Sequence, residues 1–264
     1  MPTGARIGAR IGARVGARVA APPVSLVWTK DATSLVAIPQ TATEVASLLS
    51  GIAPGSAAGI WMFGDAAAGD VVDRSGSGRN LVPEPTGTYT RQQAIAGWTS
   101  QSLRTTEGVK GFLTATIGNV NANNYTLYMW ALVAAPSNFR ALMHMGDVFD
   151  ASTCIEIDNA PHVLLGRGTG AARTVGASNP TAAMRPWVLV NEGGVDARAY
   201  TNQEEISGSP VNSSSGTELK VGGDNTDSWF PATTDYVYAM LINAAHTTAQ
   251  VRAVLQRAAW TVLF

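Results

Sequence analysis

The chain has 264 residues, of which 45% are apolar and 14% charged, with 27 glycines, 13 prolines and one cysteine. That balance excludes global disorder, collagen and a coiled coil; the lone Cys154 excludes an intrachain disulfide framework and an all-cysteine zinc cluster, and the apolar runs fall short of the roughly 18 residues of a membrane span. The net charge of −1 is unevenly placed, because residues 1–30 hold five basic side chains and no acid, leaving 13 basic against 19 acidic side chains in a body with no positive field for sequence-specific nucleic-acid binding.

The first element, residues 1–23, is built on a four-residue repeat that runs from Gly4-Ala5-Arg6-Ile7 to Gly16-Ala17-Arg18-Val19. As a strand it puts Ala and Ile/Val on one face and Gly and Arg on the other. As a helix it aligns Ile7, Ile11, Val15 and Val19, at about 1 kcal/mol for each glycine. We expect an extended or partly helical assembly arm whose aliphatic residues bury against a groove while Arg6, Arg10, Arg14 and Arg18 pair with carboxylates or phosphate at its margin. A disordered tail and an arginine-rich transit segment are the alternatives. No secretory signal is expected, since arginine interrupts every fourth position.

Ala20-Ala21-Pro22-Pro23 reads as a hinge. Residues 24–56 form a docking or linker segment, with short strands predicted at Ser25–Thr29 and Ser34–Ile38 and a helix at Thr41–Leu49 that stops near Gly51. Residues 57–264 then carry β-prone runs separated by turn residues. Ten strands are predicted, at Ile60–Phe63, Gly111–Ile117, Tyr125–Val133, Phe139–Met145, Cys154–Ile157, His162–Leu165, Trp187–Asn191, Val195–Thr201, Glu218–Val221 and Tyr236–Ile242. Without amphipathic helices between them they specify an all-β antiparallel two-sheet sandwich. A late helix starts at Thr247, with Gln250 completing a capping box and Val251, Val254 and Leu255 as its apolar face, expected to cover a sheet edge or end.

In this order the motifs resemble the concanavalin A-like jelly rolls of the laminin-G-like type. Trp61-Met62-Phe63 followed by Asp73-Arg74-Ser75-Gly76-Ser77-Gly78-Arg79-Asn80-Leu81 is similar to that family's first strand and Asp-x-Ser-Gly-x-Gly-x-x-Leu turn. Tyr125-Thr126-Leu127-Tyr128-Met129-Trp130, Met145-Gly146-Asp147, Pro186-Trp187-Val188 and Leu219-Lys220-Val221-Gly222-Gly223 follow in the family's sequence of strands. Gln203 stands where the family's hairpin has glycine. The resemblance covers roughly residues 57–258. It implies a jelly roll with one concave sheet, an extended basic N-terminal arm outside it and a short C-terminal helix, in a fold that serves lectins, glycanases, adhesion modules and virion proteins alike.

For catalysis, Glu156 and Asp158 share a strand face, as in the Glu-x-Asp-x-(x)-Glu set of the fold's retaining glycanases. Asn159, Ala160 and Pro161 follow, so the second glutamate is missing. Cys154 with His162 is the one thiol and base combination, and nothing in the sequence marks the thiol as activated. We therefore expect no enzymatic activity and no obligatory cofactor. Calcium is the cation considered: Asp147 occupies a position where the resemblance implies a ligand, and Asp224-Asn225-Thr226-Asp227 is an oxygen-rich turn. Trp98, Trp229 and Phe230 are the aromatics set in loop-like contexts for sugar stacking. The expected function is a virion structural protein, a capsid decoration or tail-associated component of a bacteriophage, a homo-oligomer anchored by its arm to protein neighbours in a large assembly. The alternative is an extracellular glycan-binding lectin or adhesion module, calcium-assisted.

Overall fold

A computed structural model of the chain describes residues 38–65, 67–85, 87–95, 101–138, 140–146, 153–157, 162–167, 173–178, 184–193, 196–200, 205–207, 216–223 and 231–257. The arm, the hinge and the strand at Ser25–Thr29 lie outside them, as does all of the Ser34–Ile38 strand except Ile38.

Helix α1 spans Ala42–Leu49 and begins as predicted. The Glu44 amide donates to Thr41 Oγ1 at 3.3 Å, and the Glu44 carboxylate accepts from the amides of Gln40 at 2.6 Å and Thr41 at 3.1 Å. Both halves of a capping box are thus made. Fifteen strands follow among the described residues. Those used below are β1 (Ala57–Met62), β2 (Val82–Pro83), β3 (Thr90–Gln93), β4 (Ser102–Thr105), β5 (Phe112–Thr116), β6 (Asn124–Val133), β7 (Arg140–Met145), β8 (Thr153–Ile157), β9 (His162–Arg167), β10 (Arg173–Ser178), β11 (Met184–Glu192), β12 (Asp196–Tyr200), β13 (Glu205–Ser207), β14 (Glu218–Gly222) and β15 (Thr234–Ile242). Helix α2, Thr248–Arg257, closes the described chain.

The strands form two antiparallel sheets. One runs β13-β12-β11-β6-β15-β4-β3 with β1 also on β15; the other runs β10-β9-β8-β7-β14-β5-β2. Strand β15 organises the first sheet. Its residues Tyr238–Ile242 pair with β1 and Thr234–Tyr236 pair with β4, while β6 follows its other flank. The cross-strand neighbours Arg104 and Asp235 make a bidentate ion pair, Nε to Oδ1 at 2.9 Å and Nη2 to Oδ2 at 2.6 Å, and Ser102 donates to the same carboxylate at 2.9 Å.

Alternation along these strands divides the apolar residues into two cores. Leu127, Met129 and Ala131 of β6 and Trp187 and Leu189 of β11 face the second sheet and meet Leu113, Met143, Ile155 and Leu219. Tyr128, Trp130, Val188 and Val190 face outward and are covered by Val45, Leu48 and Leu49 of α1 and Val251, Val254 and Leu255 of α2. Both faces of the first sheet are therefore dry, which explains its long uninterrupted apolar runs. The late helix was expected at a sheet edge or end; it covers a sheet face instead, because Val251, Val254 and Leu255 bury with α1 against the outward apolar residues of β6 and β11. Its cap is the expected one, with the Gln250 amide donating to Thr247 Oγ1 at 3.3 Å and the Thr247 amide to Gln250 Oε1 at 2.9 Å.

Candidate functional site

The loop after β1 is the first feature with functional geometry. Asp73, nearly buried, accepts from the amides of Ile60 at 3.0 Å, Ser75 at 2.8 Å and Arg79 at 3.0 Å and from the Ser75 hydroxyl at 2.9 Å. Burial opposes its charge, but the three amides and the hydroxyl outweigh burial and hold its pKa below the ordinary carboxylate value. Gly76 and Gly78 have φ of 84° and 71°, left-handed conformations that the turn requires and that glycine adopts without strain. The Trp61 indole donates to the Arg79 carbonyl at 2.8 Å, so the turn is fastened to the core as well as to β1.

This construction delivers Arg79 to one end of the sandwich, where β1 and β6 begin and β5 and β15 finish. A cleft of about 750 Å³ opens there, lined by Ser56, Ser77, Arg79, Asn123, Asn124 and Asn243 together with Tyr125. A smaller cleft of about 370 Å³ lies on the other side of Arg79, with Asp70 and Glu218 in its wall. Asn243 accepts from the Ser56 amide at 2.6 Å through Oδ1, which turns its amide nitrogen away from that bond. Tyr125 donates to the Ile117 carbonyl at 2.6 Å; burial pushes its phenol up, against the charge of Arg79 and a bond with Asn123, and keeps it neutral. The loop before β6 is fixed from behind. Buried Asn191 donates to the carbonyls of Val120 at 2.8 Å and Asn123 at 3.1 Å, and Thr153 donates to Asn191 Oδ1 at 3.0 Å.

Among the described residues the cleft thus presents several amide and hydroxyl groups and a single charged side chain, the guanidinium of Arg79. Such a set hydrogen-bonds polyhydroxylated ligands, since carboxamides and hydroxyls both donate and accept. Apart from the turn around Asp73 and Tyr125, which opens the motif of β6, none of its polar residues stood out in the sequence. Ser56, Asn123 and Asn243 are far apart along the chain and meet only because β1, β6 and β15 are neighbours.

The outer face of the second sheet brings other residues together. The registers Lys220↔His144 and His144↔Cys154 place these three side by side, with Glu156 two residues from Cys154 on the same face. All four are buried. The Cys154 thiol donates to Glu156 Oε1 at 3.5 Å, and Lys220 pairs with Glu218 at 3.3 Å and lies 5.5 Å from the Phe112 ring centre. Burial, helped by the charge of Lys220 and opposed by a backbone hydrogen bond with Gly223, pushes His144 down to about 3. Cys154 faces His144 across the sheet and not His162: its partner on β9 is Gly166, four residues and about 13 Å along the strand from His162. The thiol and base combination considered from sequence is therefore not assembled.

Asp147, Asp224 and Asp227, considered for calcium, lie outside the described residues, as do Asp158, Trp98, Trp229 and Phe230. So do the arm residues Arg6, Ile7, Arg10, Ile11, Arg14, Val15, Arg18 and Val19. Among the described residues, no three His, Cys, Asp or Glu side chains converge to hold a metal ion, and no helix is long and apolar enough to cross a membrane.

No protein-family model matches the chain, and no curated protein matches it in sequence. Solved structures do share its fold. The sialidase of Trypanosoma rangeli is 13% identical over 76% of this chain and 33% of its own, with a TM-score of 0.55. A mutant of that sialidase displaying trans-sialidase activity is 12% identical with the same coverage and score. The binding domain of botulinum neurotoxin serotype D is 9% identical over 76% of this chain and 50% of its own, with a TM-score of 0.52. The chain spans about a third of the sialidases' length, and at such identity the relationship is one of fold. It corrects the expectation of a non-enzymatic chain. Sialidases are enzymes that contain this fold, so the missing second glutamate near Glu156 excludes one glycanase arrangement and not catalysis. The chain is an antiparallel two-sheet β-sandwich of jelly-roll type that shares its fold with sialidases and with a toxin's binding domain.

Proposed function

We propose that this chain is a carbohydrate-binding module of the laminin-G-like type and that the cleft beside Arg79 is its binding site. The observation that carries the reading is the cleft's composition: carboxamides, hydroxyls and one guanidinium, held in place by the Asp73 turn and by Asn191 from behind. A pyranose offers paired hydroxyls that need donors and acceptors a few ångströms apart, and Asn124, Asn243 and Ser77 supply both kinds. The fold's occurrence in a sialidase solved in complex with sialic acid supports a role in glycan recognition. The virion role expected from the arm rests on residues 4–19, and the neighbours named above are enzymes and toxin domains rather than virion proteins, so the glycan-binding alternative takes its place.

The test is calorimetric titration of the full chain with neutral and acidic oligosaccharides, repeated with Asn124→Ala and Asn243→Ala. Weak saturable binding that each substitution lowers several-fold supports the site, with the melting temperature unchanged for Asn124→Ala and lowered for Asn243→Ala, which also loses the bond from the Ser56 amide. Binding indifferent to both substitutions places it elsewhere.

A further inference from the structure

Resting on the reading of the cleft as a glycan site, we propose that it selects acidic saccharides, with Arg79 receiving a carboxylate or sulfate group. The inference starts from how Arg79 is held. Its backbone is fixed at both ends, the amide to Asp73 at 3.0 Å and the carbonyl to the Trp61 indole at 2.8 Å. Its side chain is aimed by one bond, from Nη1 to the Ala58 carbonyl at 2.7 Å. A guanidinium has five N–H donors. The Ala58 carbonyl is neutral, and among the described residues no carboxylate forms an ion pair with Arg79. Arg74, Arg104, Arg140 and Arg198 each pair with an acid, whereas Arg79, like Arg257, bonds a backbone carbonyl.

Among the described residues the larger cleft is lined by no acid, and Arg79 is its single charged lining residue; Asp73 holds the Arg79 amide at 3.0 Å without lining the cleft, and Asp70 and Glu218 line the smaller one. Glu218 is occupied by Lys220. An anionic group entering the larger cleft therefore meets a preoriented cation, and the neutral amides of Asn124 and Asn243 are placed for the rest of the sugar. A planar fork of donors suits carboxylate and sulfate oxygens, and hydrogen bonds to an ionised acceptor are about twice as strong as neutral ones.

The experiment titrates the full chain with four probes of similar size: oligosaccharides ending in N-acetylneuraminic acid, in glucuronic acid, in a galactose sulfate and in unmodified galactose. At low salt, at least one acidic probe should bind about tenfold or more tightly than the neutral one, and the acidic arms separate carboxylate from sulfate. Raising the salt to about 1 M should erase most of that preference, because screening then acts over about 3 Å. Arg79→Gln should remove the preference, bringing the affinities for acidic and neutral probes together, while Arg79→Lys should retain part of it. If Arg79→Gln disturbs the turn, Ser77→Asp, at an exposed cleft position, must produce the same loss by repulsion. Equal affinity for neutral and acidic probes, or a preference unmoved by both substitutions, overturns the inference while leaving the glycan reading intact. No binding of any probe overturns both.

Discussion

Trp61 and Arg79 are joined by one hydrogen bond, 2.8 Å from the indole nitrogen to the backbone carbonyl, and it ties the inner core to the mouth of the cleft. Trp61 is fully buried beside Leu81 and Phe63, so its position is set by packing. The glycine-rich turn that carries Arg79 is in turn held by Asp73. Site geometry here is a consequence of core geometry.

Asp73 should therefore be a stability and a binding determinant together. Asp73→Ala leaves the amides of Ile60, Ser75 and Arg79 without their acceptor, and it should cost about 2–4 kcal/mol in denaturant unfolding and abolish ligand binding at the cleft. Because its folded pKa lies below the unfolded one, its contribution is present above the unfolded value and is lost as pH falls through the folded value. Unfolding curves of wild type and Asp73→Ala should accordingly converge in strong acid.

Two buried histidines set a second pH dependence. The His246 amide donates to Thr126 at 2.9 Å, and its ring lies 2.7 Å from the Tyr128 hydroxyl and 2.9 Å from the Pro54 carbonyl. The carbonyl can only accept, so Nε2 carries the proton and Nδ1 accepts from Tyr128, a neutral tautomer. Burial lowers the pKa of His246, against the bond to Pro54, and takes that of His144 down to about 3. The unfolded chain then binds more protons than the folded one below about pH 6.5, so stability falls as pH drops from there toward the folded values, by up to about 1.4 kcal/mol per pH unit for each histidine. Thermal unfolding between pH 7.5 and 4.5 checks this, and His144→Gln should flatten the curve.

Gly59 is required by its neighbour. A Cβ there would overlap the six-membered ring of the Trp61 indole, which lies over the strand at this point. Gly59→Ala should destabilise the chain by roughly 1–3 kcal/mol and reduce cleft affinity with it, since displacing Trp61 moves the Arg79 carbonyl. A matched control, Gly69→Ala, has open space at the Cβ position, although its φ of 77° carries strain of its own; it should leave affinity unchanged.

Much of this fold is legible in the sequence because its central strands are apolar and its helices are capped. The ten predicted strands correspond to β1, β5–β9, β11, β12, β14 and β15, and the capping residues Thr41 and Thr247 mark both helices. The strands that pattern reading misses are polar or very short. Val82–Pro83 has two residues, Thr90–Gln93 reads Thr-Arg-Gln-Gln, and Ser102–Thr105 hides an ion pair with Asp235 that only its register creates. The Asp73 turn is visible because its spacing is local. The cleft is not, since Ser56, Asn123 and Asn243 are joined by tertiary pairing alone, and the approach of Lys220, His144 and Cys154 is likewise a matter of register between β14, β7 and β8.

The most direct measurement is a two-dimensional amide NMR titration of the labelled full chain with an acidic oligosaccharide, following side-chain resonances as well as backbone ones. Binding at the cleft predicts shifts concentrated on the side-chain amides of Asn123, Asn124 and Asn243, the Arg79 guanidinium and the backbone of Ser77, with little change at Cys154, Glu156 and Lys220 on the outer face of the second sheet. Shifts confined to that outer face, or none at saturating sugar, would contradict a glycan site at Arg79.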